Sequence, residues 1–431
     1  MESVYKWPHW RTEGIGCKTN RVTNTAYRGF GAPQALLCTE TVMTHLASKL
    51  GMDQTDFRQL NMITPGYKAV LGCFVEDNVV SEKHCALPKM WQHVLTRGEF
   101  EQRKLAVNTH NSSSDRYKKG IALIPQKCAV CFEVDFMNQG QAAINIYNDG
   151  SVLLTTSAVE MGQGVSFKMA QLCATELGIP LSKITVNGNS TEILPNTQPT
   201  SASSGADVAG GAVLIACKIL NERLAPLKAE FPDVPWEGII WKAYWNRISL
   251  NATAHFAIPK LEWNWEDRSG YAGFYYSYGV AAAEVLLDSL TGEWCIVRAD
   301  VIQDAGRSLN PVIDLGQVEG SFVQGIGYVT TEELKYNSEG LITTGPDDYL
   351  LPTVNEIPRE WHVDLVQQQP NEMNVAGSKS TGEGPLLNAA SVAFALLEAV
   401  NAVREANGKS RIATLPCSPL TTEKILLAIN E

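Results

Sequence analysis

The chain has 431 residues, 45% of them hydrophobic, which is enough to bury a large core and to form two or three packed units. Its 35 basic and 46 acidic residues give a formal net charge of −11, and no run of lysine and arginine exceeds two residues. This charge pattern excludes the basic footprint of a phosphate-backbone binder, so we expect no nucleic-acid partner.

The first predicted elements are two helices. GFGAPQALLCTETVMTHLASKLG indicates a glycine turn and then a helix, with Pro33 in its first turn and Gly51 as its stop. A second, short helix follows over about 55–62. From 71 to 116 the pattern is irregular and polar, with NTHNSSSDRYKKG as the best linker candidate. We therefore predict a domain boundary between about 65 and 117.

The middle of the chain mixes strands and helices. Strands are predicted in IALIPQKCAVCFEVDF, QAAINIY and SVLLTTSAV, the last two forming a hairpin around Asp149 and Gly150. The helix VSFKMAQLCATELGIP stops at Gly178. The short strand KITVNG then leads through PNTQPTSASSGADVAGG into a long helix that ends near Phe231.

The last third begins with a Trp-rich helix over about 236–248. A two-strand ribbon follows, turning at residues 290–292, and then GQVEGSFVQGIGYVTTEEL, a helix whose small residues indicate close backbone approach. The GEGP turn opens a helix that runs to about Gly408, and a short helix starts at Thr421. The irregular alternation predicts a mixed α+β chain without a simple βαβ repeat.

Five places share one layout, in which small residues precede a helix: GFGAP (29–33), EMGQG (160–164), TSASSGAD (200–207), DLGQVEG (314–320) and TGEGP (381–385). A helix start leaves about four N–H groups unsatisfied and carries a positive partial charge, so each turn is a candidate anion seat. Capping explains any one turn alone. Their number, with Gln163, Gln317 and Gln324 among the glycines, favours one large polar anionic ligand held by amides.

Familiar anion and hydrolase motifs are missing. In AGSKSTGEG, Gly382 and Glu383 stand where a Walker motif needs GK[ST], and an acid there would repel phosphate. No G-x-G-x-x-G follows a strand, which disfavours a Rossmann site, and G-x-S-x-G does not occur. The seven histidines show no zinc spacing.

Glu383 is the sharpest single candidate. Pro385 suits a first helical position, which places Glu383 just outside the helix, where the helix field favours its ionised form. The following helix is nearly apolar around its circumference, so its start is predicted to be buried. Glu383 is then either a buried general base or an exposed turn acid worth about 0.3 to 1 kcal/mol to the helix.

The compartment follows from absences in the sequence. No apolar stretch reaches the roughly 20 residues of a membrane helix, and MESVYKWPHWRTEG lacks the layout of a signal peptide. The ten cysteines are scattered, with one C-x-x-C at Cys128 and Cys131, and are interpreted as reduced core thiols. We expect a cytoplasmic protein with no membrane partner.

Seven motifs occur in an order that closely resembles the molybdenum-binding part of the xanthine dehydrogenase and aldehyde oxidase family: TNTAYRGFGAPQA, VEMGQGVSFKMAQ, ILPNTQPTSASSGADVAGGAV, YSYGVAAAEVLLDSLTGE, SLNPVIDLGQVEGSFVQGIG, YLLPTVNEIP and STGEGPLL. The resemblance covers essentially the whole chain. It implies an α+β molybdopterin-binding fold, with 1–80 as the C-terminal remnant of a first molybdopterin-binding domain and 81–431 as the second. It also implies a homodimer when the protein is complete.

The resemblance assigns roles residue by residue. Glu383 would be the base, and the substrate would contact Phe30, Phe132 and Ala202. The cofactor, molybdenum-molybdopterin, would be bound by Gln163, Gly162, Gly164, Arg28, Gly29, Ser203, Ser204, Ala206 and Gln324. No side chain would ligate the metal, which is held through the pterin. From the residues alone, Phe132 is a core strand aromatic.

The implied activity is that of a molybdenum hydroxylase, an oxidoreductase that oxidises an aldehyde or N-heterocycle with a water-derived oxygen. The family's FAD and two 2Fe-2S clusters have no counterpart here, so they are implied only for a missing N-terminal part or for partner subunits. Gly384 and Ser201 stand where the family pattern has Pro and Ala, which predicts a looser turn at the base and an altered pocket rim. The alternative is a truncated, noncatalytic domain or assembly fragment.

Overall fold

The computed structural model describes residues 2–75, 77–267, 269–366 and 370–431. Its helices are α1 Ala32–Leu50, α2 Gln54–Asn61, α3 Leu87–Arg97, α4 Phe100–Ser113, α5 Val165–Leu177, α6 Gly205–Glu230, α7 Trp236–Trp245, α8 Pro311–Thr330, α9 Gly384–Leu387, α10 Ala390–Ala406 and α11 Thr422–Asn430. Its strands are β1 Lys68–Cys73, β2 Asp77–Val79, β3 Tyr117–Val130, β4 Gln139–Ile146, β5 Val152–Thr156, β6 Ile184–Val186, β7 Asn251–Ala257, β8 Trp263–Asn264, β9 Ser269–Gly270, β10 Tyr275–Asp288, β11 Trp294–Gln303, β12 Tyr336–Asn337, β13 Gly340–Leu341 and β14 Glu360–Leu365. The architecture is mixed α+β, as predicted.

The larger sheet has the order β14-β11-β10-β3, and its core lies on both faces. Strand β10 is almost fully buried, because its alternate residues enter two different cores. Ala281, Ala283 and Val285 pack with α8, α10 and α11, whereas Tyr278 and Val280 pack with α1 to α4. The sheet is therefore the middle layer between two sets of helices.

The smaller sheet has the order β6-β5-β4-β7 and is covered by α5, α6 and α7. Strands β4 and β5 pair antiparallel around the predicted hairpin, where Gly150 has a φ of +84°. Strands β5 and β6 pair in parallel, and α5 connects them. The N-terminal turns of α5 and α6 and the turn at Glu383 before α9 line the cavity described below.

Several predicted boundaries are confirmed. Helix α1 ends at Gly51 and α5 ends at Gly178, both in the left-handed conformation with φ of 65° and 71° that glycine adopts without strain. The β10–β11 ribbon and helices α6, α7, α8 and α11 also lie where the sequence placed them. The ten cysteines are all free thiols, and Cys17 and Cys38 are exposed.

The predicted linker is wrong. Residues 87–113 form α3 and α4, and NTHNSS is the end of α4. Helix α4 buries only Phe100 and Val107, so its sequence has too few apolar positions to show a helical period. Residues of the segment 1–80, such as Met43 and Phe57, share a core with β3 and β10, and the domain division at residue 80 stays a prediction.

The last long helix differs from the prediction in two ways. It is broken into α9 and α10 at Asn388 and Ala389. The segment Gly384–Ala406 has 23 residues, and its most apolar window has a mean hydropathy of 1.7. It is long and apolar enough for a membrane span, which contradicts the absence predicted above. Because 89% of its most apolar window is buried inside the protein, we interpret it as a core helix.

Candidate active site

All five predicted small-residue turns line one cavity of about 560 Å³. The cavity lies between the starts of α5, α6 and α8, the Arg28 loop before α1, and the Glu383 turn before α9. Of the residues predicted to form the site, those that line it are Arg28, Phe30, Gly162, Gln163, Ala202, Ser203, Ala206, Gln324 and Glu383. The sequence therefore identified the cavity from turns that are up to 354 residues apart.

Glu383 is partly buried at the cavity wall and is itself the N-cap of the four-residue helix α9. Its Oε1 accepts a hydrogen bond from the amide N–H of Gly29 at 3.2 Å. Burial raises the pKa of this carboxyl, and the Gly29 amide, the Ser203 hydroxyl and Arg28 offset only part of the increase. Burial therefore outweighs these favourable contacts in setting the pKa of Glu383, and the expected effect of the helix field stays a prediction.

Arg28 ties the loop before α1 to two other elements. Its Nε donates to the carbonyl oxygen of Gly382, next to the base. Its Nη2 donates to Oε1 of Gln317 at 3.0 Å, and its Nη1 donates to Oε1 of Gln324 at 3.4 Å. Burial lowers the pKa of Arg28, and the nearby Glu383 carboxylate opposes that decrease. Gln324 thus reaches the cavity as an acceptor for Arg28.

The start of α5 is already capped by an acid of the chain. The Glu160 carboxylate accepts the amide N–H groups of Gly162, Gly164 and Ser166, each at 2.9 Å. Partial burial opposes ionisation, but the three donations outweigh it and lower the pKa of Glu160. The prediction of an open anion seat at EMGQG is wrong for these amides. The sequence did contain a sign of this capping, because Glu160 stands directly before the glycine turn whose amides it accepts.

The side chain of Gln163 is closed on its own loop. Its Oε1 accepts from the Met161 amide at 2.7 Å, and its Nε2 donates to the Val159 carbonyl at 2.8 Å. These two bonds fix the orientation of the carboxamide at the cavity wall, and each end keeps one further hydrogen-bonding site. Gly162, with φ of +96°, lines the cavity beside it, whereas Gly164 lies against Ile313.

The start of α6 offers an open anion seat. Ala202 and Ser203 have φ of 52° and 58°, a strained conformation that clusters at functional sites. Among the residues that the structure describes, the amides of Gly205 and Ala206 find no acceptor. The buried Ser203 Oγ likewise makes no hydrogen bond of normal geometry, although its hydroxyl lowers the pKa of Glu383. Ser204 is buried behind this turn as the N-cap of α6.

Two buried aspartates in the cavity wall were missed. Asp314 accepts from Lys168 Nζ at 2.6 Å and from Thr381 Oγ1 at 2.9 Å. Asp207 accepts from Tyr275 and from Asn374, each at 2.8 Å, and burial raises the pKa of its carboxyl to about 6. Asp207 and Asp314 lie in the first turns of α6 and α8, where an acidic residue is common because it stabilises the helix start. Their positions in the sequence therefore did not indicate a site.

The two predicted substrate aromatics are not brought together. Phe30 lines the cavity with φ of 50°, and 47% of it is exposed. Phe132 is not among the lining residues, and the side chain of Asn138 bonds its backbone N–H at 2.9 Å and its carbonyl at 2.8 Å. Phe132 therefore lies in a loop after β3, and its contact with the substrate stays a prediction.

Comparisons with known proteins agree with the geometry. A family model for a molybdopterin cofactor-binding domain matches residues 93–358, and another with that description matches residues 1–62. The chain is 41% identical over 428 residues to xanthine dehydrogenase/oxidase of Mus musculus, covering 99% of this chain and 32% of that protein. It is 41% identical over 429 residues to aldehyde oxidase 2 of Macaca fascicularis, covering 99% and 31%. The chain thus spans about a third of the length of these curated relatives.

Two solved structures share the fold. The Cu,Mo-CO dehydrogenase aligns with a TM-score of 0.77 at 21% identity, over 93% of this chain and 52% of that chain. The aldehyde oxidoreductase of Desulfovibrio gigas aligns with a TM-score of 0.73 at 24% identity, over 94% and 42%.

Proposed function

The chain belongs to the xanthine dehydrogenase and aldehyde oxidase family as its C-terminal molybdopterin-binding portion, and from this premise we propose that it is the substrate-oxidising part of a molybdenum hydroxylase. The substrate would be an aldehyde or an N-heterocycle. The relatives above include both an aldehyde oxidase and a xanthine dehydrogenase at the same 41% identity, so both substrate classes enter the test.

The residues of the cavity fit a polar phosphorylated cofactor. The buried Ser203 Oγ and the free amides of Gly205 and Ala206 would hold an anionic or carbonyl group of the pterin. Arg28, Gly162 and Gln163 would lie along the same wall. No group of three or more His, Cys, Asp or Glu in the described ranges is placed to hold a metal, so the pterin would carry it.

Glu383 would act as the general base. Oε1 is engaged by the Gly29 amide, so Oε2 is the oxygen that we assign to accept a proton from the attacking water-derived group. The raised pKa of Glu383 suits this role, because a base works best when its pKa approaches the working pH. When bound, the molybdenum cofactor supplies the two-electron redox chemistry of the oxidation. Phe30 and Ala202 would contact the substrate.

The observation that carries this proposal is a partly buried carboxylate of raised pKa at the wall of a cavity built for an anion. We would test it with the complete protein, produced in a host that supplies the cofactor. Wild type should contain molybdenum in about 1:1 ratio and oxidise a benzaldehyde or a purine with an artificial electron acceptor. Glu383→Gln should keep the metal and lose about 10²- to 10⁴-fold in kcat.

Noncatalytic function is the second candidate, because the relatives are about three times as long as this chain. In that case the chain produced alone would fold but hold no molybdenum even in a cofactor-supplying host. Full activity of Glu383→Gln would instead reject Glu383 as the base.

We also propose, from the family resemblance, a cytoplasmic homodimer whose electrons pass to iron-sulfur and flavin domains or subunits. Size-exclusion chromatography with light scattering, together with cell fractionation, would test the assembly and its location.

A further inference from the structure

A cluster of three carboxamides lies behind the Glu383 turn, and the proposed mechanism does not use it. Gln126 on β3, Gln303 at the end of β11 and Asn388 after α9 are each 0% exposed. Oε1 of Gln303 accepts from Gln126 Nε2 at 3.2 Å and from Asn388 Nδ2 at 3.1 Å. Gln303 Nε2 donates to Ser277 Oγ at 2.8 Å. The cluster joins two strands to the end of the helix that follows the base.

The strand register explains how the amides meet. Gly279 on β10 pairs with Gln126 on one side and with Gln303 on the other. A β-carbon at Gly279 would lie 2.3 Å from Gln126 Nε2, 2.6 Å from Asn388 Oδ1 and 2.7 Å from Gln303 Oε1. Any side chain at position 279 would therefore collide with the three carboxamides, so the cluster requires glycine there.

The cluster is poorly explained as a stabilising feature. Gln126 Oε1 and Asn388 Oδ1 are buried and have no donor among the residues that the structure describes. A buried acceptor without a partner destabilises the folded state, whereas apolar side chains of similar size would carry no such cost. The hydrogen bonds that the cluster makes among the described residues therefore do not by themselves account for it.

The amides lie directly under the backbone of the base's turn. A β-carbon at Gly384, the residue after Glu383, would lie 3.3 Å from Gln303 Nε2 and 3.6 Å from Gln126 Nε2. Asn388 ends the four-residue helix that begins at Gly384. On the other side of the turn, Ser277 Oγ donates to the Asp304 carbonyl at 2.9 Å, and Asp304 pairs with Lys379 at 2.6 Å. The cluster thus connects to both ends of the segment 379–388.

We propose that Gln126, Gln303 and Asn388 are positioning residues. They fix how closely the backbone of the Glu383 turn packs against strands β3 and β11, and so hold the Glu383 carboxylate at the cavity wall. This inference rests on the proposed function, in which Glu383 is the base. The carboxamides carry no charge, so they act on Glu383 through the backbone of Gly384. The ionisable groups coupled to Glu383 are Arg28 and Cys128, and neither belongs to the cluster.

The test uses Gln303→Met in the complete, cofactor-loaded protein, because methionine keeps the volume and removes all three hydrogen bonds of Gln303. We expect an unchanged molybdenum content, KM within about 2-fold and a loss of at least about 10-fold in kcat, since a small misplacement of a catalytic group is costly. The acidic limb of the kcat–pH profile should also move. Asn388→Leu should also lower kcat and move the pH profile, because it removes the hydrogen bond that Asn388 donates to Gln303.

The matched control is Asn401→Leu. Asn401 is also a buried amide, with hydrogen bonds to the N–H and carbonyl of Ile412 at 2.7 and 3.0 Å, but it lies 13 residues beyond Asn388 in α10. The variant Asn401→Leu should lower the midpoint of thermal unfolding and leave the kcat–pH profile unchanged. A loss of stability alone in Gln303→Met, matching that control, would overturn the positioning role.

A second readout separates this inference from the proposed function. In the cofactor-free chain, the ¹³C-carboxyl signal of Glu383, identified by its absence in Glu383→Gln, should titrate at a different pH in Gln303→Met than in wild type. If Glu383→Gln abolishes turnover but neither the titration nor the pH profile responds to Gln303→Met, only the positioning role fails. If Glu383→Gln remains active, the proposed base fails, and an altered titration would still support the positioning of the carboxylate.

Discussion

The amide N–H of Gly29 donates to Oε1 of Glu383 at 3.2 Å, and this bond joins two turns that are 354 residues apart in the chain. The neighbouring residues strengthen the link, because Arg28 Nε donates to the Gly382 carbonyl. A β-carbon at Gly382 would lie 2.6 Å from Ser203 Oγ, so a third segment packs on the same turn. The loop before α1, the turn before α6 and the turn before α9 therefore pack against one another.

The first prediction concerns Gly29→Ala. Gly29 has a φ of +93°, and an added β-carbon would lie 2.9 Å from Pro33 Cγ, so alanine should lower the free energy of unfolding by about 1–3 kcal/mol. The same change should reduce turnover of the complete protein, because the loop presents its amide to Glu383. Urea unfolding followed by circular dichroism measures the first effect.

The matched control for that prediction is Gly31→Ala, two residues away. Gly31 has an ordinary φ of −88°, and an added β-carbon meets nothing within 4 Å. This variant should change stability by less than about 0.5 kcal/mol. Equal effects of the two substitutions would show that the loop does not depend on the conformation of Gly29.

Turn chemistry made much of the site predictable from the sequence. Glycine, serine and proline before a helical period mark helix starts, and all five such turns line the cavity. The sequence could not show which groups accept hydrogen bonds from the backbone N–H groups of those turns. Glu160 caps α5 and Gln163 closes on its own loop, and both depend on how residues two to six apart fold back.

The errors in the fold have related causes. Helix α4 buries two residues per fourteen, so its period was too weak to see. Strand β14 pairs in parallel with β11, a tertiary contact that leaves little trace in the six residues Glu360–Leu365. From the residues alone Phe132 was predicted in a strand, but β3 ends at Val130 and Asn138 bonds the backbone of Phe132 in a local loop.

The second prediction separates two glycines of α8. An added β-carbon at Gly325 would lie 2.5 Å from the Leu386 carbonyl, so Gly325→Ala should push α8 away from α9 and destabilise the protein by about 1–3 kcal/mol. Gly320 meets nothing within 4 Å, and Gly320→Ala should stabilise by about 0.5–1 kcal/mol through helix propensity. Thermal and urea unfolding of both variants give the comparison. Effects of the same sign would contradict it.

The third prediction concerns the buried ion pair that joins α1 and α2. Arg58 Nε lies 2.7 Å from Glu40 Oε2, with side chains 2% and 0% exposed, and Tyr5 donates to the other oxygen of Glu40 at 2.7 Å. Arg58→Met should cost about 3–5 kcal/mol, because it leaves Glu40 buried without its cation. Arg58→Met combined with Glu40→Met should recover much of that loss.

An exposed ion pair serves as the control. Arg11 and Glu13 lie 3.9 Å apart with side chains 90% and 71% exposed, so Arg11→Met should change stability by less than about 0.5 kcal/mol. If the double variant at positions 40 and 58 were as unstable as Arg58→Met alone, the loss would come from packing and not from the unpaired charge.

The last prediction follows from the pKa of Asp207, which burial raises to about 6 although Asn374 and Tyr275 donate to its carboxylate. In the unfolded chain this carboxyl titrates near 4, so between about pH 4 and 6 the folded state binds more protons than the unfolded state. Its contribution to stability is therefore complete below about pH 4 and is lost as the pH rises through 6.

The comparison is with Asp207→Asn, which cannot titrate. Relative to that variant, the free energy of unfolding of wild type should fall by about 3 kcal/mol between about pH 4 and 6 and change little above pH 6. Urea unfolding of both proteins from pH 4 to 8 measures the difference. Tyr275→Phe removes a donor to the ionised form, so it should move the window to higher pH; a wild-type curve parallel to Asp207→Asn throughout would refute the assignment.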